Sequence, residues 1–437
     1  MRYVWDIEAN GLLPDVDTVW CLAVYDLDTE DTELFTDYSK EHRSFDEGIA
    51  KINEASLWAN HSILGYDIPV LEELGYKLVY PDVIVDTLIT SQVMYPDITN
   101  QKFPHRVPSR IAWSHSLEAW GKRLGVSKGE YDDWSKYTDE MGQYNIQDTV
   151  VNAKLFNYLK EQALAMGIAW DFNHMPSPLA IEHKFKKYIM QQTLTGFPFD
   201  KKAAQELVIP LMEEKESIEK KLQEVFPPIT ETIHYVTPKR QEHKTKEKVT
   251  VFNPGSRPQI GQRLIDAGWQ PSSFTETGRP VINEETIKEA SEVVPEAAVL
   301  DRFFLLDKRL GSIINGDKAW LRLERNGRIH GEVRTLGAVT TRVTHTNPNM
   351  SQVTSVNKPY GKECRALFHA REGWSLVGAD LAGIELRCLA HYLYPWDKGA
   401  YIDHVLNGDV HTVHQQAFGL PPGKEYRRIG KGGTSMG

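Results

Sequence analysis

The first eight residues, Met-Arg-Tyr-Val-Trp-Asp-Ile-Glu, place two carboxylates, Asp6 and Glu8, two apart in a run otherwise rich in apolar and aromatic side chains. Such a run predicts a β-strand, and on a strand side chains i and i+2 leave from the same face. Two carboxylates side by side repel each other, and burying them without compensation is costly. A divalent cation removes the conflict, and Mg²⁺ favours hard oxygen ligands of this kind. This strand must therefore either turn its acidic face to water or build a cation site on it.

Two more acidic residues can complete such a site. Asp67 lies in Gly65-Tyr-Asp-Ile-Pro, near the start of a helical pattern. Asp148 closes Tyr144-Asn-Ile-Gln-Asp148, and residues four apart share one helix face, so Tyr144 and Asp148 point the same way. Four carboxylates suffice for two metal ions about 4 Å apart, which together activate a water, brace a phosphate and stabilise a leaving oxygen. Tyr144 is then placed to orient the attacking water. Each piece alone is common on solvated surfaces. The four acids in this order, within an alternating strand and helix pattern, point to a metal site.

The pattern around them is α/β. A second apolar run, Val19 to Leu27, follows a Gly-Leu-Leu-Pro turn and predicts a hairpin with the first strand. Strand-like and helix-like stretches alternate to about residue 165. Ser116 to Gly125 reads as one helix with Ser116 as cap and Gly125 as stop, and Met141 to Ala165 as another. Pro176 and Pro178 mark a junction. Long helices are predicted from Leu179 to Thr195 and from Lys201 to Phe226, separated by Gly196-Phe-Pro-Phe-Asp200. Residues 238–248, with Lys239, Arg240, Lys244, Lys246 and Lys248, read as a mobile loop. Helical material resumes at Pro258 and runs to about Asn315, and from Ile329 the pattern reads as strand-rich. No internal repeat or low-complexity tract appears.

Charge divides the chain in the same way. The formal net charge is −10, which by itself argues against a nucleic-acid partner. Residues 1–150, however, hold 12 Lys and Arg against 27 Asp and Glu, a net of −15, and the remainder holds 38 against 33, a net of +5. An acidic front suits cations and a mildly basic back suits phosphates. A length of 437 residues allows about two to four domains. No run is apolar and long enough to span a bilayer, so no membrane role is expected. The chain reads directly into a strand, so no signal peptide is expected. Cys21, Cys364 and Cys388 are far apart, without metal-type spacing, and fit a reducing cytoplasm.

The motifs resemble a known family. Asp6-Ile-Glu8-Ala-Asn-Gly-Leu is similar to the first motif of the DEDD exonucleases, Asp67 to the aspartate of the second, and Tyr144-Asn-Ile-Gln-Asp148 to the third in its tyrosine form. The Ser116 helix and Gly129-Glu-Tyr resemble the T-seven-like phage DNA polymerases. The family's second motif has an asparagine a few residues before its aspartate. Here Asn60 lies further upstream, and Ser62 is the alternative occupant. Asp86, in Val85-Asp-Thr-Leu, also matches the family and reads as structural, since Asp and Thr at a strand end satisfy local backbone groups.

The back half resembles the polymerase domain of family A, the DNA polymerase I family. Gly196-Phe-Pro-Phe-Asp200 and Asn253-Pro-Gly-Ser-Arg257-Pro-Gln-Ile are similar to the thumb and its approach. Gly331 to Val353, with Arg342 and Asn347-Pro-Asn349, resembles the segment that contacts the primer–template duplex. Ala379-Asp380-Leu-Ala-Gly-Ile-Glu385-Leu-Arg387 resembles polymerase motif A. There Asp380 ends a predicted apolar strand, Ser375 to Ala379, just before a helix; it would hold metal and act in catalysis. A plain helix cap is the bland alternative. The resemblance puts Glu385 under the nucleotide sugar and His411, in Asp409-Val-His-Thr, near the nucleotide. Arg427-Arg428-Ile-Gly-Lys431 is similar to the opening of motif B, where Arg428 and Lys431 would meet the triphosphate, although Gly432-Gly-Thr-Ser-Met-Gly departs from the aromatic residue usual there.

The resemblance covers residues 1 to about 431 and implies an α/β fold: an RNase H-like exonuclease domain over 1–165, a mostly helical connection and thumb over 166–328, and a partial α+β palm over 329–437 of an incomplete right-hand fold. It implies Mg²⁺ at two-metal sites, with Mn²⁺ as a substitute, a primer–template and a single-stranded 3′ end as partners, dNTPs, and the cytoplasm of an infected bacterial host. The family's second palm aspartate, in a His-Asp-Glu-like turn, has no counterpart, because no His-Asp-Glu occurs. Exonuclease activity alone is therefore expected, with polymerisation only beside a complementing C-terminal fragment. The stretch from Phe226 to Val251 is too short for the insertion that binds thioredoxin in the phage enzymes, so no thioredoxin partner is expected. Two other readings are a free-standing DEDD nuclease, which has no use for the thumb-like and motif A segments, and a non-catalytic DNA-binding or assembly half of a split polymerase.

Overall fold

The computed structural model describes residues 1–236, 243–423 and 426. By the density of its packing the chain divides into two compact units, Met1–His369 and Ala370–Gly437.

The first unit opens with a five-stranded sheet. Strand β1 (Arg2–Ala9) pairs antiparallel with β2 (Val19–Asp26), which pairs antiparallel with β3 (Thr32–Phe35). After helix α1 (Phe45–Asn53), β4 (Leu57–Asn60) adds parallel to the other side of β1. Helix α2 (Asp67–Glu73) then crosses to β5 (Val83–Asp86), parallel to β4 and followed directly by α3 (Thr87–Met94). The sheet order is β3-β2-β1-β4-β5. Parallel neighbours need a crossover of this kind, whereas the antiparallel pair needs only a turn.

The alternation in β1 sends its residues to two different cores. Tyr3, Trp5 and Ile7 pack with Phe45, Ile49 and Ile52 of α1 and with Ile68 and Leu71 of α2. Val4 faces the other way and packs with Ala153 and Phe156. Those two belong to α5 (Asp139–Ala165), which begins at a Thr138 cap after the short α4 (Leu117–Arg123). Asp6 and Glu8 share the Val4 face, so the sheet presents both carboxylates to α5. As the spacing predicts, Ser116 caps α4, accepting from the Ala119 N–H at 3.3 Å, and Gly125 stops it at φ +68.

Helix α6 (Pro178–Thr195) starts at the predicted junction. Beyond it lie β6 (Phe197–Pro198) and the long α7 (Lys201–Val225). Next come β7 (Ile229–Val236) and β8 (His243–Thr250), an antiparallel pair. The mobile loop expected over 238–248 is thus in part a strand. Lys246 and Lys248 belong to β8, with Glu231 opposite Lys248, while Lys239 and Arg240 lie outside the described residues. β-Branched Thr230, Thr232, Ile233, Thr245, Val249 and Thr250, together with the cross-strand charge pair, favour this hairpin over a loop.

Helices α8 (Arg257–Asp266), α9 (Glu284–Val293) and α10 (Ala298–Leu310) follow, then a π-turn at Gly311–Asn315 and α11 (Trp320–Leu323). The strand-rich pattern expected from Ile329 is sparse. After β9 (Glu324–Arg325) it consists of β10 (Arg328–Ile329), β11 (Glu332–Arg334) and β12 (Thr344–Thr346), before α12 (Gly361–Ala366). One core joins these pieces, from Leu211 and Leu222 of α7 through Phe303 and Leu306 of α10 to Ile329, Cys364 and Leu367.

The second unit contains α13 (Ile384–Asp397), α14 (Ala400–Asn407) and α15 (Val410–Ala417). The strand predicted over Ser375–Ala379 does not form: residues 374–380 are irregular, and Leu376, Val377 and Leu381 are 57%, 93% and 70% exposed. A strand needs a neighbour for its backbone groups, and among the described residues none pairs with this run.

Candidate active site and metal centre

The structure brings three of the predicted carboxylates together. Oxygens of Asp6, Glu8 and Asp148 all lie within 4.8 Å of one another. Asp6 and Glu8 come from adjacent positions on one face of β1, and Asp148 from the middle of α5, which packs on that face. The fourth acid, Asp67, opens α2. There Tyr66 Oη donates to the Gly11 carbonyl at 2.6 Å and ties the helix start to the β1–β2 connection. Asp67 is buried and is the charged neighbour that most strongly raises the pKa of Asp6.

Amide groups fix the orientation of the acids. Asn60 Nδ2 donates to Asp6 Oδ1 at 3.2 Å and Asn145 Nδ2 to Asp6 Oδ2 at 2.8 Å. Asn60, at the end of β4, is therefore the asparagine that serves this site, whereas Ser62 offers its backbone N–H to Asp86. Asn60 Oδ1 in turn accepts from Asn152 Nδ2 at 3.2 Å, within a buried chain that continues to Thr87. Trp134 Nε1 donates to Glu8 Oε2 at 3.0 Å. Lys128 Nζ lies 2.6 Å from Asp148 Oδ2. Asp86 caps α3 and accepts backbone N–H groups from Ser62, Leu64, Leu88 and Ile89, as its structural reading requires.

Burial and mutual repulsion set the electrostatics. Burial, then the charges of Asp67, Glu8 and Asp148, hold the Asp6 carboxyl well above the usual range. Burial pushes Glu8 up to about 7 against the opposing hydrogen bond from Trp134. Burial likewise pushes Asp67 up to about 8, opposed by backbone N–H groups including that of Ile7. Asp148 is also raised by burial, while Lys128 pulls it down. Such groups keep protons unless a cation replaces them. Asp148 Oδ1 is moreover buried without a hydrogen-bond partner. Clustered hard oxygens, one of them orphaned, fit a divalent cation.

Tyr144 stands one turn before Asp148 on α5, half-buried, with Lys128 Nζ 4.9 Å from its ring centre and Tyr131 beside it at 5.9 Å between centroids. Sequence reasoning did not single out Lys128, Trp134 or Asn145 as site residues. The first two come from the connection between α4 and α5, which has no periodicity to read. Asn145 stands inside the Tyr144–Asp148 stretch, three residues before Asp148, a spacing that shares a helix face and is the signal that could have found it.

The residues predicted for nucleotide and duplex contacts belong to other segments of the chain. Arg342 is exposed in a turn where its carbonyl accepts from the Ala338 N–H at 3.2 Å. Asn349 Oδ1 caps a short turn, accepting from the Ser351 N–H at 3.1 Å and Ser351 Oγ at 2.7 Å. In the second unit Asp380 is exposed in the irregular run and Glu385 lies in the first turn of α13. His411 lies in the first turn of α15, its N–H donating to Asp409 Oδ1 at 3.2 Å. Arg428 and Lys431 lie outside the described residues.

Comparison with known proteins matches the same two halves. Residues 4–160 match the RNase H superfamily and residues 221–431 match DNA polymerase family A. The chain is 32% identical to the DNA-directed DNA polymerase of Escherichia phage T7, over 96% of this chain and 73% of that protein. It is 31% identical to the DNA-directed DNA polymerase of Enterobacteria phage T3 over the same shares. Among solved structures, the POL domain of Pol1 from M. smegmatis, in complex with DNA primer-template and dNTP, is similar in fold. It has a TM-score of 0.69 and 17% identity, covering 99% of this chain and 67% of that one.

Proposed function

This chain belongs to DNA polymerase family A, as a phage-like member with an RNase H-like exonuclease domain, and from that premise we propose that the acidic cleft of residues 1–165 removes nucleotides from the 3′ end of DNA. The observation that supports this most is the cluster of Asp6, Glu8 and Asp148 oxygens within 4.8 Å of one another, beside a buried Asp148 Oδ1 that has no hydrogen-bond partner. Asp6, Glu8, Asp67 and Asp148 would hold Mg²⁺, with Mn²⁺ as a substitute, and Tyr144 would orient the attacking water. Bound metal supplies an activated water and charge stabilisation for the leaving oxygen. The protein's own work is to hold the acids in register. Asn60 and Asn145 grip both oxygens of Asp6, and Trp134 holds one oxygen of Glu8. A phosphodiester brought against this face meets oxygens that are already oriented, so little reorganisation remains for the cleavage step.

For the back half we assign helical residues 166–328 to the connection and thumb and 329–437 to the palm. Arg342 and Asn349 would touch the primer–template backbone. Asp380 would hold metal, and Glu385, His411, Arg428 and Lys431 would receive the dNTP.

The test uses the whole chain with Mg²⁺ and a 5′-labelled primer annealed to a longer template, beside an Asp6→Ala/Glu8→Ala double variant. Wild type should shorten the primer and the double variant should leave it intact. A primer untouched by wild type, on duplex and on single strand alike, would sink the nuclease reading. Adding dNTPs tests the palm separately: extension that survives Asp380→Asn would remove that residue from the reaction.

A further inference from the structure

The acidic cleft contains a cation of the protein's own. Lys128 reaches into it from the connection between α4 and α5, with its side chain 22% exposed and that of Asp148 only 6%. Its ammonium occupies Asp148 Oδ2 at 2.6 Å and leaves Oδ1 buried and without a partner, in a carboxylate that clusters with Asp6 and Glu8. It also lies over the face of Tyr144, and Gly129 beside it leaves room for that ring: a Cβ there would come 3.2 Å from Tyr144 Cδ2. At 2.6 Å from a carboxylate in this shielded setting, the ammonium and Asp148 form a close ion pair.

An ion pair this shielded differs from a surface salt bridge, whose worth is diluted by solvent. Removing one partner of a buried pair leaves the other charge uncompensated, at a large cost. The same pair sets up a competition, because a divalent ion on Asp148 must share that carboxylate with an ammonium and suffers its repulsion. Among the described residues, no such charge is bonded to the Asp6–Glu8 edge. The negative phosphate of a bound DNA end relieves the repulsion, which couples full loading to substrate.

We propose that Lys128 is a tethered counter-cation, a positioning residue that holds Asp148 in the metal-free protein and competes with divalent metal for it, so that the Asp148 side of the cleft loads more weakly than the Asp6–Glu8 side. This rests on reading the cleft as a metal-dependent nuclease site.

The experiment titrates Mn²⁺ by calorimetry into the whole chain without DNA, for wild type, Lys128→Met, Lys128→Arg and the Asp6→Ala/Glu8→Ala reference, and follows thermal melting of each in EDTA. Lys128→Met should tighten the weaker Mn²⁺ site by about tenfold or more, the effect of removing one nearby like charge. It should also melt below wild type in EDTA, with the gap closing as Mn²⁺ is added. Lys128→Arg should keep wild-type values. In an Asp148→Asn background the effect of Lys128→Met should vanish, which isolates the pair. Unchanged or weaker Mn²⁺ binding by Lys128→Met would overturn the proposal, as would a variant that stays unfolded in saturating Mn²⁺. Failure of wild type itself to bind Mn²⁺ would instead strike the nuclease reading, and this inference with it.

Discussion

Asp6 and Asp380 are both aspartates in short acidic motifs of one chain, yet their surroundings are opposite. Asp6 stands on a strand whose neighbours are buried, accepts two amide N–H groups, and has a pKa driven upward by burial and by three other acids. Asp380 stands in an irregular exposed run, flanked by Val377 and Leu381 that are 93% and 70% open to solvent. The first unit closes its nuclease cleft with its own sheet and helix. The second leaves apolar side chains, among them Trp374, Tyr392 and Trp396, uncovered. Preorganisation follows packing: a carboxylate is poised for a metal only where the elements behind it are fixed.

The largest effect expected from this contrast is on cleavage. Asp148→Ala removes a carboxylate proposed to hold metal in the packed cleft and should lower the rate of 3′-end removal by about a thousandfold or more, the loss of several kcal/mol of charge stabilisation. Asp380→Ala should leave that rate within about twofold of wild type. Equal losses from both substitutions, measured on the same labelled single strand, would break the contrast between a self-sufficient front and a separate back.

A smaller effect concerns stability without metal. Glu8 and Asp67 are raised from their ordinary values of 4.5 and 3.8 to about 7 and about 8 by burial. The folded state therefore binds protons that the unfolded chain releases, so these groups favour the fold fully below about pH 4 and lose that contribution as pH rises through about 7 to 8. In EDTA, urea melts should show stability falling by several kcal/mol between about pH 4 and pH 8. Mg²⁺ should flatten the fall by taking the place of the protons. The Asp6→Ala/Glu8→Ala variant should flatten it without metal. A metal-free protein whose stability rises with pH through this range would contradict the burial of these acids.

How far the sequence reveals each region follows from the same difference. The β1 alternation, the four-residue step from Tyr144 to Asp148, the Ser116 cap and the Gly125 stop are local signals, and local geometry alone realises them. Lys128 and Trp134 come from an aperiodic connection, and only tertiary packing brings them to Asp148 and Glu8. The β7–β8 pair was hidden because lysine is a weak strand former, and its pairing depends on Glu231 finding Lys248 on the facing strand. Ser375–Ala379 failed in the opposite sense. Its apolar run reads as a strand, but a strand is a relation between two segments, and the described residues supply no second one.

The smallest predicted effect sharpens the contrast within the cleft itself. Trp134 reaches Glu8 from the aperiodic connection, its own carbonyl held by Trp20 Nε1 at 3.0 Å, so its indole N–H is aimed by packing rather than by chance. A hydrogen bond to a charged acceptor is worth about 1.5–3 kcal/mol, and this one favours the ionised form of Glu8. Trp134→Phe keeps the ring and deletes the donor. Glu8 should then hold its proton to higher pH and yield it less readily to Mg²⁺, so at limiting Mg²⁺ the rising limb of the cleavage–pH profile should move upward. At a fixed pH near neutrality the rate should fall by about tenfold. At a pH well above the shifted limb most of the rate should return, because the carboxylate is ionised again and its metal-facing geometry rests on β1. A loss that stays constant at every pH would instead assign Trp134 to holding the cleft's shape and leave the charge on Glu8 to its other neighbours.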